Sequence, residues 1–191
     1  MECIDFFTKN CANNDKCKLL QDIPEDKLTK WEYVSASKYS PGPVTDNEYL
    51  CRQVISPIHY DKETNTLAAT AFDDASNKGL SVNRLCYVTG EKVVQMANDR
   101  TEKYNELYPN KPQRTFVGSV HFSCRDIRKI TITEEGKKPI RGFAIYDTAN
   151  ENDSSHADIC QIVKNKAHGR SVRFSIRELA NKYLGTNPFC Y

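Results

Sequence analysis

The chain has 191 residues, of which 39% are hydrophobic and 27% charged, with a formal net charge of +2. That is chain enough for a sizeable core and too apolar for intrinsic disorder, and no apolar run reaches the ~20 residues a membrane span needs. The small net charge hides an asymmetry: residues 1–110 carry 13 Lys/Arg against 17 Asp/Glu, and residues 111–191 carry 14 against 8, so the second half is the one suited to an anionic partner.

Glu2 and Asp5 stand where a secretory signal would be basic, which points to the cytosol. Eight cysteines without a C-x-x-C read as reduced, mostly buried thiols rather than a disulfide framework. No metal site is expected. The spacings of Cys3, Cys11 and Cys17 fit no common zinc knuckle, and His121 and Cys124 would point to opposite faces of a strand.

Residues 1–47 read as an N-terminal appendage to a single α+β domain at 48–191. Within the appendage, residues 11–18 are polar and turn-like. Residues 23–34 predict a short helix, with Pro24 in its first turn, Glu25 and Asp26 at its positive end, and Leu28 and Trp31 on one face. Pro41-Gly42-Pro43 marks the boundary. Residues 48–55 predict a strand, with Tyr49, Cys51, Gln53 and Ile55 on one face and Leu50, Arg52 and Val54 on the other. Arg52 thus sits between apolar neighbours, where it needs partners unless its stem lies at a sheet edge with the head in water.

Residues 57–61 form a loop, 64–72 a weakly alternating strand, and 73–79 a turn-rich connection. Leu80 and Val82 share the core face of a short strand, with Ser81 and Asn83 on the opposite face. Residues 89–108 are the strongest helix, with Val93, Ala97, Tyr104, Leu107 and Tyr108 on roughly one side. Residues 114–124 alternate, with Phe116, Val120, Phe122 and Cys124 inward, and Gly118 in the same row admits a close backbone approach. One helical turn follows at 125–130, a short strand from Ile130, a turn at Glu135-Gly136-Lys137, and a strand at 140–146. A polar loop at 147–155 delivers His156-Ala157-Asp158-Ile159. A last strand at 171–174 precedes the capping box Ser175-Ile176-Arg177-Glu178 and a helix carrying Ile176, Leu179 and Tyr183 to Gly185. The elements add up to an α+β fold with a mixed, mostly antiparallel sheet of about six strands and three to four flanking helices.

Arg52, His59, Ser81 and Arg84 lie on or beside these strands. Two rigid guanidinium forks and a hydroxyl suit a phosphate or pyrophosphate, and an imidazole can donate or accept a proton near neutrality. No G-x-G-x-x-G or P-loop accompanies them. The structural alternative is ion pairing with Asp61, Asp73 or Asp74. Ser155 and Asp158 fit the start of a capped helix; the functional alternative puts His156 and Asp158 at the mouth of a pocket. Arg114, Arg125, Arg128, Lys129, Arg141, Arg170 and Arg173 are the candidate contacts to nucleic acid or to another anionic partner, a protein included.

The segments Cys51-Arg52-Gln53-Val54, Ala71-Phe72, Leu80-Ser81-Val82-x-Arg84 and His156-Ala157-Asp158-Ile159 resemble a group of small bacterial proteins of unassigned function. In that group the R-Q-V/I, A-F, L-S-V and H-A-D-I motifs come in this order, and the match covers about residues 48–160. The order of a strand arginine, a strand serine followed by a helix, then an edge strand with a polar motif is similar to ADP-ribosyltransferase domains. That resemblance implies NAD as the ligand: Arg52 would hold its phosphates, Ser81 would lie against the nicotinamide ribose, and the third motif would fall at His156 to Asp158. The chain departs from the pattern. No glutamate stands in the catalytic place, Asp158 has a shorter reach, and the serine-threonine-serine motif is absent.

The expectation is a cytosolic effector or toxin-like domain that transfers a group from NAD to a macromolecule. His156, Asp158 and Ser81 would be its catalytic set, and Arg52, His59 and Arg84 would hold the ligand. The alternative is a non-catalytic nucleic-acid- or protein-binding module within a toxin or defence complex.

Overall fold

The computed structural model describes residues 1–61 and 63–186. Three short helices come first: α1 (Cys3–Lys9), α2 (Lys16–Leu20) and α3 (Glu25–Trp31). Strand β1 (Tyr49–Ser56) is followed by the hairpin of β2 (Tyr60–Asp61) and β3 (Thr66–Leu67), a 3-10 helix (Ala69–Ser76) and β4 (Leu80–Arg84). Then come α4 (Gly90–Leu107), β5 (Thr115–Ser123), α5 (Cys124–Arg128), β6 (Thr131–Ile132), β7 (Ile140–Arg141), β8 (Phe143–Tyr146), β9 (His156–Gln161) and α6 (Lys166–Thr186). The architecture is α+β: a five-stranded antiparallel sheet in the order β5-β1-β4-β9-β8, with two small two-stranded sheets beside it.

Strand alternation decides what each face buries. Leu50 and Val54, Leu80 and Val82, Val120 and Phe122, Phe143 and Ile145, and Ala157 and Ile159 all point to one side. Val172, Ile176 and Ala180 of α6 close that core, with Phe72 and Ala75 of the 3-10 helix and Ile127 of α5. Each large aliphatic or aromatic side chain buried there contributes about 1.5–3 kcal/mol. On the opposite face Ala144, Tyr146 and Cys160 meet Cys3, Phe6, Phe7, Cys17, Leu20, Leu28 and Trp31, the Phe7 and Tyr146 rings lying 4.7 Å apart. Residues 3–36 therefore form a second layer over β8 and β9, whereas Val44 belongs to the first core. At the other end of this face, Val93 and Val94 of α4 line a cleft with Cys51, Ser119 and His121. Cys3, Cys17, Cys51, Cys124 and Cys160 are buried, whereas Cys11 and Cys86 are exposed.

Several local expectations yield to packing. The polar stretch after Cys11 contains α2. Residues 64–72 form two residues of strand and then the 3-10 helix, because Ala71, Phe72 and Ala75 reach the core together only from a helical turn. The buried stripe of α4 is Val93, Ala97 and Thr101; Leu107 and Tyr108 are exposed, and Tyr104 and Tyr108 pack on each other at 4.9 Å. The strand expected over 140–146 breaks at Gly142, whose N–H bonds Ile130 O and whose added Cβ would fall 2.8 Å from Val172 Cγ1. His156-Ala157-Asp158-Ile159 starts an interior strand, β9, not a capped helix. Residues 171–174 lie inside α6, where Val172, Ile176 and Ala180 keep a helical period of four. The side chain of Tyr183 lies outside the described residues.

Candidate functional site

Arg52 leaves β1 on the side of Leu50 and Val54. The β1–β4 ladder pairs Leu50 with Arg84 and Cys51 with Asn83 and goes no further, although both strands continue. Arg84 N–H bonds Ser155 O towards β9 and Leu85 N–H bonds Tyr49 O towards β1, so the odd-numbered carbonyls of β4 face β1. The Ser81 carbonyl accepts instead from Arg52 Nη1 at 2.9 Å. The guanidinium thus occupies the gap where the two central strands part.

Its second neighbour is His59, with Arg52 Nη2 3.3 Å from Nε2 and the Ile55 N–H 3.2 Å from Nδ1. Two donors face a ring that has one lone pair when neutral and none when protonated. Burial, then the Arg52 charge, pushes the His59 pKa down from 6.5 to about 3. The unfolded chain therefore takes up this proton well before the native protein does. Stability contributed by neutral His59 is complete above the unfolded value and is lost as pH falls between the two, by at most about 1.4 kcal/mol per pH unit. Urea unfolding followed from neutrality down to about pH 4 should show this slope, and His59→Gln should flatten it. An unchanged slope in the variant would assign the acid sensitivity elsewhere.

Ser81 and His156 meet on the opposite face of the sheet, from neighbouring strands. Ser81 Oγ lies 2.7 Å from His156 Nε2, and His156 Nδ1 lies 3.0 Å from both Thr148 O and Thr148 Oγ1. Asp158 follows two residues on. Its Oδ2 is bound at 2.5 Å by Lys16 Nζ, and its Oδ1 stands 4.0 Å from His156 Nε2, too far for a hydrogen bond. Burial pulls the Lys16 ammonium down, and Asp158 more than reverses this, leaving its pKa raised. The structure therefore gives Asp158 the role of counterion to α2 rather than that of a free acid or base.

Arg84 stands apart from this group. Its Nε and Nη2 hold Glu48 at 2.7 and 2.9 Å, and Nη1 and Nη2 hold the carbonyls of Gly42 and Pro43 at 2.6 and 3.3 Å. These bonds fasten the loop before β1, so the expected ligand-holding role does not fit its position. The fold thus makes two clusters: Arg52 against His59 and the Ser81 carbonyl, and His156 against the Ser81 hydroxyl on the opposite face.

The basic residues of the second half are largely engaged within the fold. Arg128 and Arg141 both bind Glu32, Arg173 pairs with Asp73, Arg125 bonds Asn47, and Arg114 lies over the Tyr104 ring at 3.4 Å.

Two contributors escaped the sequence reading. Lys16 sits in a stretch that looked like polar turns and meets Asp158 across 142 positions. Thr148 acts through its carbonyl, which no side-chain motif reports. Among the described residues no three His, Cys, Asp or Glu side chains are grouped to hold a metal, and no helix is long and apolar enough to cross a membrane. Compared with known proteins, the chain matches no family model, no curated protein and no solved structure.

Proposed function

We propose that the chain binds a phosphate-bearing dinucleotide, NAD in the first instance, at Arg52, as the resemblance to ADP-ribosyltransferase domains implies, and transfers a group from it to a macromolecule. One observation carries this reading. Arg84, Arg128 and Arg141 each meet a carboxylate within 3.0 Å, whereas Arg52, only 7% exposed, meets none among the described residues. Among the described residues its Nε has no hydrogen-bond partner, and neither does the Oε1 of the adjacent Gln53. Burial lowers the Arg52 pKa to about 10, with Asp74 and Asp158 acting only at a distance, so the group is charged at neutral pH. A buried cation without a counterion is costly. A site that keeps one is suited to an anion arriving from outside, and the guanidinium fork is suited to phosphate oxygens.

NAD at about ten times its Kd should stabilise the protein by about 1.4 kcal/mol and raise the melting temperature by roughly 3–6 °C. Arg52→Ala should abolish the shift. Melting curves that stay put for the wild-type protein in millimolar NAD would end this reading.

A further inference from the structure

We infer that Ser81 is a covalent nucleophile activated by His156, and that the bond it attacks is a phosphate ester or anhydride of the ligand. The choice of phosphorus rests on the anion-binding reading above; the assignment of the nucleophile does not.

The ring proton is assigned to His156 Nδ1, because the Thr148 carbonyl 3.0 Å away only accepts and the Thr148 hydroxyl at the same distance can accept as well. Nε2 then carries the lone pair, and the Ser81 hydroxyl donates to it at 2.7 Å. A hydroxyl bonded to a base, with the base anchored on its far side, is the arrangement that makes serine nucleophilic. The anchor here is a neutral carbonyl where a carboxylate often stands. It fixes the tautomer and the ring, and it stabilises an imidazolium less. Other serines of the fold are spent differently: Ser155 donates to Asp153, and Ser37 to the Ala149 carbonyl. The pair is also reachable, since Ser81 is half-buried and the His156 side chain is 22% exposed. Arg52 Nη1 bonds the carbonyl of Ser81 itself, so the cation of the anion-binding reading is held, from the other face of the sheet, by the residue that carries the nucleophile.

In the step that follows, Ser81 Oγ attacks phosphorus. The Oγ–P bond forms, and the P–O bond to the leaving group breaks with its electron pair on the departing oxygen. The hydroxyl proton passes to His156 Nε2 and from there to that oxygen. Water or an acceptor hydroxyl then attacks phosphorus and gives its proton to the same nitrogen; the Oγ–P bond breaks with its electron pair on Oγ, which takes that proton back and restores the Ser81 hydroxyl. With NAD, this chemistry cleaves the pyrophosphate: the group passed on is a nucleotidyl group rather than ADP-ribose, and with water as acceptor the products are two mononucleotides, not free nicotinamide.

The test uses a fluorophosphonate, which loses fluoride to activated serines, on the full chain, with the adduct mapped by peptide mass spectrometry. Labelling is expected at Ser81, absent in Ser81→Ala, and at least ~10-fold slower in His156→Gln. No adduct at Ser81 in the wild-type protein, with its circular dichroism that of a folded chain, overturns the nucleophile. Chromatography of NAD incubations decides the bond: mononucleotides support attack at phosphorus, and nicotinamide release overturns it. A missing NAD-dependent melting shift would sink the anion-binding reading and leave a Ser81 adduct standing, so the two failures are distinguishable.

Discussion

Replacing Arg84 with alanine is expected to destabilise the protein by ~3–5 kcal/mol, the cost of leaving one member of a buried ion pair without the other. The Arg84 side chain is 1% exposed and Glu48, its bidentate partner, 11%. Burial pushes the Glu48 carboxyl up, and the hydrogen bonds from Arg84, the Thr45 N–H and Cys86 more than offset this, leaving its pKa lowered. The alanine variant would strand that carboxylate and also release the Gly42 and Pro43 carbonyls. Arg84→Lys keeps the charge and loses the fork, so its deficit should be smaller but clear. Because the folded pKa of Glu48 is depressed, the pair's contribution is present above the unfolded carboxylate value and fades as pH falls through the folded one. Urea denaturation at neutral pH measures the loss. A cost under ~1 kcal/mol for Arg84→Ala would mean that the pair is dispensable.

The second large effect is expected at Glu32. One carboxylate, 4% exposed, accepts from Arg128 Nε at 3.0 Å, from Arg141 Nη2 at 2.5 Å and from the Ile145 N–H at 3.0 Å. It joins the residue after α3 to α5, β7 and β8, and so ties the N-terminal layer to the sheet. Glu32→Ala should cost ~3–5 kcal/mol for the stranded cations, with about 1–3 kcal/mol more for the unpaired Ile145 amide. Relief is partial, because Arg128 keeps Asp46 and the Val44 carbonyl, and Arg141 keeps Thr29 and the Phe143 carbonyl. Glu32→Gln retains an acceptor for Ile145 and should fall between wild type and alanine. Hydrogen exchange adds a spatial readout: amides of residues 1–47 should lose protection before those of β1 and β5. Uniform loss across the chain would place the weakness in the whole domain rather than in this junction.

The alternation of Leu50, Arg52 and Val54 placed a cation beside the core, and that of Leu80, Ser81 and Val82 turned a hydroxyl away from it. Both readings hold in the folded chain because a strand's period of two is a property of the backbone over a few residues. The long helix after Thr89 is legible for the same reason, its cap made by Thr89 Oγ1 accepting the Lys92 N–H. Nothing local distinguishes Arg52 from Arg84. The first is left in the gap between parting strands and the second is clamped by Glu48, a difference set by strand register and by the path of residues 42–48. Local pattern was equally silent on His156 becoming part of an interior strand and on Lys16 binding Asp158. Periodicity reports which way a side chain points, whereas the charge or lone pair it meets is supplied by segments tens to more than a hundred residues away, and only the closed fold brings those together.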